Sequence, residues 1–138
     1  MDLKEAFHSI NLRRKTYFDD LIDLTDLNLM ELEILVSLAD YPEQNTFTDI
    51  MRSKDYAKSY VSKAITHLVE LGYIAKEGID HNKKVQKLFL LEQSTPIVDS
   101  FKSCVDTFRK DAFIGISQQE YEVFEHVLEK ISLNLSGK

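Results

Sequence analysis

Apolar residues return every third or fourth position along most of the chain, and the breaks in that rhythm mark six helical segments and one hairpin. The first segment spans residues 2 to about 23. Leu3, Phe7, Ile10, Tyr17, Phe18 and Leu21 keep to one stripe, and Asp2 is placed to cap the start. The second opens at Asn28, with Glu31 three residues on as a capping box. Leu29, Leu32, Ile34, Leu35, Val36, Leu38 and Ala39 make it apolar nearly all round, which suits the centre of a domain. Tyr41-Pro42 ends it. Thr46 and Asp49 open a short third helix that buries Phe47, Ile50 and Met51, and the chain turns near residues 53–55.

The fourth segment, residues 56–71, has two unlike faces. Val61, Ile65, Leu68 and Gly72 recur at steps of three and four and must point at a core. Lys58, Ser59, Ser62, Lys63, Thr66 and His67 fall on the other side, with Tyr60 able either to join them or to fold back inward. Asp55 is the expected N-cap, and Gly72 the left-handed exit. Strand-like runs at Tyr73–Lys76 and Val85–Leu91 then flank a turn-forming, cationic stretch from Gly78 to Lys84, which predicts a hairpin with a charged tip.

Thr95-Pro96 starts a fifth helix, with Thr95 as cap and proline first, and Val98, Phe101, Val105, Phe108 and Ala112 form its seam. Ser117 with Glu120 is another capping box, and Ile116 before it is expected to staple onto Tyr121. The last helix is expected to bury Phe124, Val127, Leu128, Ile131 and Leu135. A short helix, a turn, a polar-faced helix and a hairpin make a winged helix-turn-helix. The predicted fold is therefore mainly α: one domain over 1–138, with a winged lobe of three helices and a two- or three-stranded wing at about 28–91. Residues of about 1–23 and 96–135 are expected to form dimerisation helices.

Composition narrows the function. At 138 residues the chain is one domain, large enough to bury roughly two-thirds of its unfolded surface without a disulfide or metal. Four Gly and two Pro leave little room for a turn-rich all-β fold. A lone Cys104 fits a reducing compartment, and there is neither a membrane-length apolar run nor a signal-peptide core, so a soluble cytoplasmic protein is expected. The net charge of −6 is unevenly spread. From Arg52 to Phe89 eight Lys/Arg oppose four Asp/Glu, a local +4, against −10 for the remainder. Screening confines exposed charges to about 10 Å, so the local sign decides phosphate attraction.

These features point to duplex DNA. Lys58, Ser59, Tyr60, Ser62, Lys63, Thr66 and His67 carry the short hydroxyls and long cations that read a major groove, and His81, Asn82, Lys83 and Lys84 would sit at the wing tip. An ordinary solvated helix face is the bland alternative; the adjoining hairpin and the local charge weigh against it. Leu3, Phe7 and Ile10 at one end of the chain, and Phe124, Val127, Leu128, Ile131 and Leu135 at the other, are the candidate homodimer contacts. A two-fold dimer presents its recognition helices about 34 Å apart. Arg13-Arg14-Lys15 reads as a solvated charge cluster.

In element order the chain resembles the multiple-antibiotic-resistance regulator (MarR) family of winged-helix transcription regulators. Leu29–Leu38, Lys58–Lys63, Leu68–Ile74 and Ile116–Glu120 carry the likeness. It departs from the family pattern at the wing, where Asn82-Lys83-Lys84 stands for an Asp-any-Arg triplet, and lysine lacks arginine's planar fork. Leu91 and Ser94 replace a Thr and Gly, and Ala57 replaces the usual serine before the recognition helix, which marks a divergent member. The resemblance implies a repressor competing for a pseudo-palindromic operator. It also implies a small effector seated among Tyr17, Phe18, Leu21 and Ile97.

Other chemistry has little support. No glycine-rich phosphate loop, nucleophile motif or paired carboxylates stand out, so neither an enzyme nor a cofactor is expected. His8, His67, His81 and His126 are scattered, and His126 with Glu122 and Glu129 is more simply a solvated face than a metal site. Some MarR members use a cysteine near the N-terminus as an oxidation switch; Cys104, mid-helix, reads as an inert buried thiol. Two rivals remain: a winged-helix protein-interaction module without DNA readout, and a metal-responsive regulator.

Overall fold

Side-chain caps set most of the helix starts. In the computed structural model, which describes residues 1–54, 56–79 and 82–137, α1 (Leu3–Thr16), α3 (Leu29–Asp40) and α7 (Gln118–Leu135) each begin with a complete capping box. The pairs are Asp2/Glu5, Asn28/Glu31 and Ser117/Glu120, each exchanging two backbone amides for two side-chain oxygens. Thr46 and Asp49 do the same for α4 (Phe47–Lys54), both bonds at 3.1 Å.

The first predicted helix is two. α1 ends at Thr16 and α2 runs Asp19–Thr25. The amides of Tyr17 and Phe18 turn to carbonyls only three residues back, which tightens and closes α1. The break lets Phe18 and Leu21 enter the core while nothing in α1 is buried. Phe18 stacks on Phe101 at 4.5 Å between ring centroids.

The core sits around α3, whose Leu32, Ile34, Leu35 and Leu38 are all buried, as its all-round apolar pattern predicts. Ile50 of α4, the Val61, Ala64, Ile65 and Leu68 face of α5 (Lys58–Glu70), and Ile97, Val98 and Phe101 of α6 (Thr95–Ala112) join it. α5 starts later than expected. Its N-cap position is Ala57, which has no side-chain acceptor to offer, and Asp55, two residues earlier, lies outside the described residues. The helix exits as predicted: Gly72 is left-handed (φ +80°), and the amides of Gly72 and Tyr73 reach back to Val69 and Leu68 in a Schellman closure.

The hairpin is longer than its apolar runs suggest. β1 (Ile74–Ile79) and β2 (Asn82–Leu90) pair antiparallel from Ile74↔Leu90 to Gly78↔Gln86, then slip at a bulge to Ile79↔Asn82. Backbone pairing needs no apolar side chains, so the cationic stretch read as a loop is strand as far as Ile79 and from Asn82. A single bridge, Thr46↔Lys87, is the only trace of a third strand among the described residues. A 3₁₀ turn, Glu92–Ser94, leads into α6, so Thr95 is already helical rather than a cap.

The chain divides into two compact units, Met1–Thr107 and Phe108–Lys138. In the second, Phe113 meets Tyr121 edge-on at 5.0 Å, and the Tyr121 hydroxyl donates to Glu125 at 2.9 Å. Ile116 is partly exposed, and the Tyr121 ring packs edge-on against Phe113. The expected burial of Phe124, Val127, Leu128, Ile131 and Leu135 does not occur: no residue of α7 is buried, and Leu135 is 63% exposed. One chain offers these side chains no core. The same holds for Leu3, Phe7 and Ile10 on α1.

Candidate nucleic-acid interface

The two faces of α5 separate as the sequence pattern requires. Val61, Ala64, Ile65 and Leu68 are buried, while Lys58, Ser59, Tyr60, Ser62, Lys63 and Thr66 are exposed. Tyr60, at 62% exposure, points outward and belongs to the polar face. Together these six present hydroxyls, two cations and one aromatic ring along about two and a half turns. That set can contact phosphates and base edges.

His67 departs from the expectation. Its Nδ1 is hydrogen-bonded to Oε2 of Glu31 on α3, so the ring is turned toward the neighbouring helix and only partly exposed. The reason lies in Glu31, which is 4% exposed and needs partners for both oxygens. Oε1 accepts the Asn28 amide at 3.0 Å and Oε2 takes His67. His67 therefore anchors α5 to α3.

A matching tie holds the approach to α5. The Tyr56 hydroxyl donates to Oε2 of Glu33, also on α3, at 2.8 Å. Burial pushes the Tyr56 phenol up to about 12, helped by the bond to Glu33 and its charge and opposed by Arg14. Arg14 lies 3.8 Å from the other Glu33 oxygen, so it is a half-buried ion-pair member rather than part of a solvated cluster. None of these three links was read from the sequence, because each joins residues far apart in the chain and on different elements.

The wing is fastened at its base by Asn45, another residue the sequence did not flag. Asn45 is buried; its Nδ2 donates to the Leu88 carbonyl at 3.0 Å, and the Leu88 amide returns to the Asn45 carbonyl at 2.8 Å. Between α4, α5 and the hairpin lies a cleft of about 270 Å³ whose polar lining includes Thr46, Thr48, Ser62, Lys76 and Gln86. Lys76 and Lys87 on the strands and Arg52 on α4 are exposed, adding cations that the sequence reading counted but did not place in the site. Arg52 stands 3.9 Å from Asp49. His81 lies outside the described residues, as do the side chains of Asn82, Lys83 and Lys84.

Of the expected effector residues, Phe18, Leu21 and Ile97 belong to the buried core, and Tyr17 is half-buried. Cys104 is half-buried, and burial raises its thiol, with Asp20 adding to the effect; that disfavours the reactive thiolate. Among the described residues no cluster of three metal-ligating side chains occurs, and no helix is long and apolar enough to cross a membrane.

A helix-turn-helix of α4 and α5, its outward face cationic and its hairpin pinned alongside, defines a winged-helix fold. No protein-family model matches the sequence. Solved structures do match, over nearly the whole chain. MepR of S. aureus, solved as a complex with DNA, is 18% identical at a TM-score of 0.84, covering 98% of this chain and 99% of that one. A MarR protein from Peptoclostridium difficile is 17% identical at a TM-score of 0.85, covering 98% and 88%. The reduced form of MarR from E. coli is 13% identical at 0.75, covering 95% and 96%. The fold of this chain is that of the MarR-type winged-helix regulators.

Proposed function

We propose that this chain is a sequence-specific DNA-binding transcription regulator of the MarR type, working as a homodimeric repressor in the cytoplasm. The division of α5 into a core face and an exposed face bearing Lys58, Ser59, Tyr60, Ser62, Lys63 and Thr66 carries the reading. The local +4 charge and the pinned hairpin support it, as does the fold shared with the DNA-bound MepR. In this reading the whole chain is one functional domain, with residues of about 28–91 as the DNA-binding lobe. The apolar side chains left open on α1 (Leu3, Phe7, Ile10) and on α7 (Phe124, Val127, Leu128, Ile131, Leu135) are covered by a second copy. Two recognition helices then occupy successive major grooves of a pseudo-palindromic operator and exclude polymerase.

Control by a small ligand belongs to the same proposal, in a restricted form. Phe18, Leu21 and Ile97 are closed, so a ligand must select a second conformation in which they part, and it acts only by its affinity difference between the two.

The test is a salt-series anisotropy titration with duplex from the chain's own promoter region, alongside sedimentation. A dimer with steeply salt-dependent affinity is expected. A micromolar monomer, or no duplex binding at low salt, defeats the proposal. The rival reading, a protein-interaction module, is favoured by the wing triplet Asn82-Lys83-Lys84 and the acidic net charge, and absent DNA binding by an intact dimer would support it.

A further inference from the structure

Glu33 joins three elements. One carboxylate oxygen accepts the Tyr56 hydroxyl at 2.8 Å, and the other faces Arg14 Nη1 at 3.8 Å. Tyr56 is two residues before α5, whose N-cap Ala57 supplies no side-chain bond, so Tyr56 provides a side-chain tie at the start of the recognition helix. Arg14 is in the last turn of α1. Leu3, Phe7, Ile10 and Arg14 follow steps of four, three and four, so Arg14 continues the same stripe as the open apolar side chains. Its guanidinium also lies 5.1 Å over the Phe18 ring, which fixes it against the core.

We propose that Glu33 is a positioning residue that couples α1 to the start of the recognition helix through Arg14 and Tyr56. Whatever shifts α1 along its open stripe changes the Arg14–Glu33 contact. Glu33 passes the change to Tyr56, and the first turn of α5 moves relative to α3. DNA affinity then reads the state of α1. This rests on α5 being the DNA-reading helix, and the experiment separates the two claims.

The full chain and its variants are titrated with labelled promoter duplex, and amide exchange is followed at residues 58–61. Glu33→Gln and Tyr56→Phe should each weaken binding by roughly threefold to tenfold, the worth of one hydrogen bond. The salt slope should stay unchanged, because no phosphate contact is lost. Arg14→Gln should weaken binding in the unmodified chain yet add nothing in a Tyr56→Phe background. NMR titration of Tyr56 supplies a signature that simple destabilisation does not give: its ionisation falls from about 12 in Glu33→Gln and rises in Arg14→Gln, since Glu33 holds it up and Arg14 holds it down. Additive Arg14 and Tyr56 effects, or unchanged affinities, overturn the coupling. If the unmodified chain binds no duplex, the DNA reading falls. Exchange then decides the coupling: faster at residues 58–61 in Arg14→Gln supports it, and unchanged exchange overturns it.

Discussion

His67 and Glu31 meet across 36 positions of sequence, a histidine on α5 bonded to a buried carboxylate on the central helix α3. The carboxylate serves twice, because its other oxygen completes the α3 capping box with Asn28. Glu31→Ala removes both bonds and strands the Asn28 amide. A loss of about 1–3 kcal/mol is expected in chemical denaturation. Glu31→Gln, which keeps an acceptor, should lose less. An unmoved denaturation midpoint in the alanine variant would show that the link carries no stability.

Lys63 stands on the exposed face of α5, one turn before His67. Lys63→Ala should weaken operator binding by about 1–3 kcal/mol if the side chain reads a base. Lys76 on β1, at the cleft beside Ser62, should instead behave as a phosphate contact. Lys76→Ala is expected to weaken all duplexes alike and to flatten the salt slope by about one. Equal titration curves for variant and unmodified chain would remove either residue from the interface.

The open side chains of α7 make a separate prediction. Phe124→Glu places a charge where a second copy is proposed to pack, so sedimentation should show monomers and operator affinity should collapse. Helical content should hold, because no residue of α7 is buried in the single chain. A stable dimer of this variant contradicts the proposed interface.

The two ends of α5 can be tuned in opposite directions. Ala57 is exposed, with an extended N-cap backbone (φ −63°, ψ 141°), so Ala57→Ser can supply the missing acceptor. A gain of about 0.5–1 kcal/mol is expected. Gly72→Ala should cost roughly 1–2 kcal/mol, because φ is +80° there and the added Cβ meets only ordinary contacts with Gln93. Melting temperatures of the two variants should therefore fall on either side of the parent.

Asp49 links stability to acid. The Thr46 amide it accepts, and then the Thr46 hydroxyl, hold its carboxyl below the ordinary 3.8. A lowered folded-state value means the stabilisation is complete above 3.8 and is lost as pH falls through the folded value. Asp49→Asn should flatten that acid limb in a pH series of denaturation curves, because it removes the stabilisation that the ionised carboxyl holds above 3.8. Asp49 is half-buried at the surface, where solvent screening keeps the effect small. An acid limb identical in both proteins counts against the cap.

Local chemistry was legible in the sequence. Asn28/Glu31, Thr46/Asp49 and Ser117/Glu120 act over three residues, and the α5 faces and the Gly72 exit follow from spacing alone. Contacts between elements were not. Glu31–His67, Glu33–Tyr56 and Asn45–Leu88 join residues 36, 23 and 43 apart, and no periodicity marks such a pair. His67 shows the effect on the site: helical spacing set it among the outward residues, and a buried carboxylate on another helix drew it aside. Spacing also reveals a stripe without naming its cover, which is why α7 was expected to be buried and is open.

Asn45 grips Leu88 from both its side chain and its backbone, just before α4 begins. The hairpin is thus hinged like a lever with its fulcrum at Leu88. The two hydrogen bonds at that point resist sliding of β2 past the start of α4. In the proposed DNA complex, a groove pushing on the outer arm would deliver torque to the start of α4, and hairpin and helix-turn-helix would settle onto a duplex in concert.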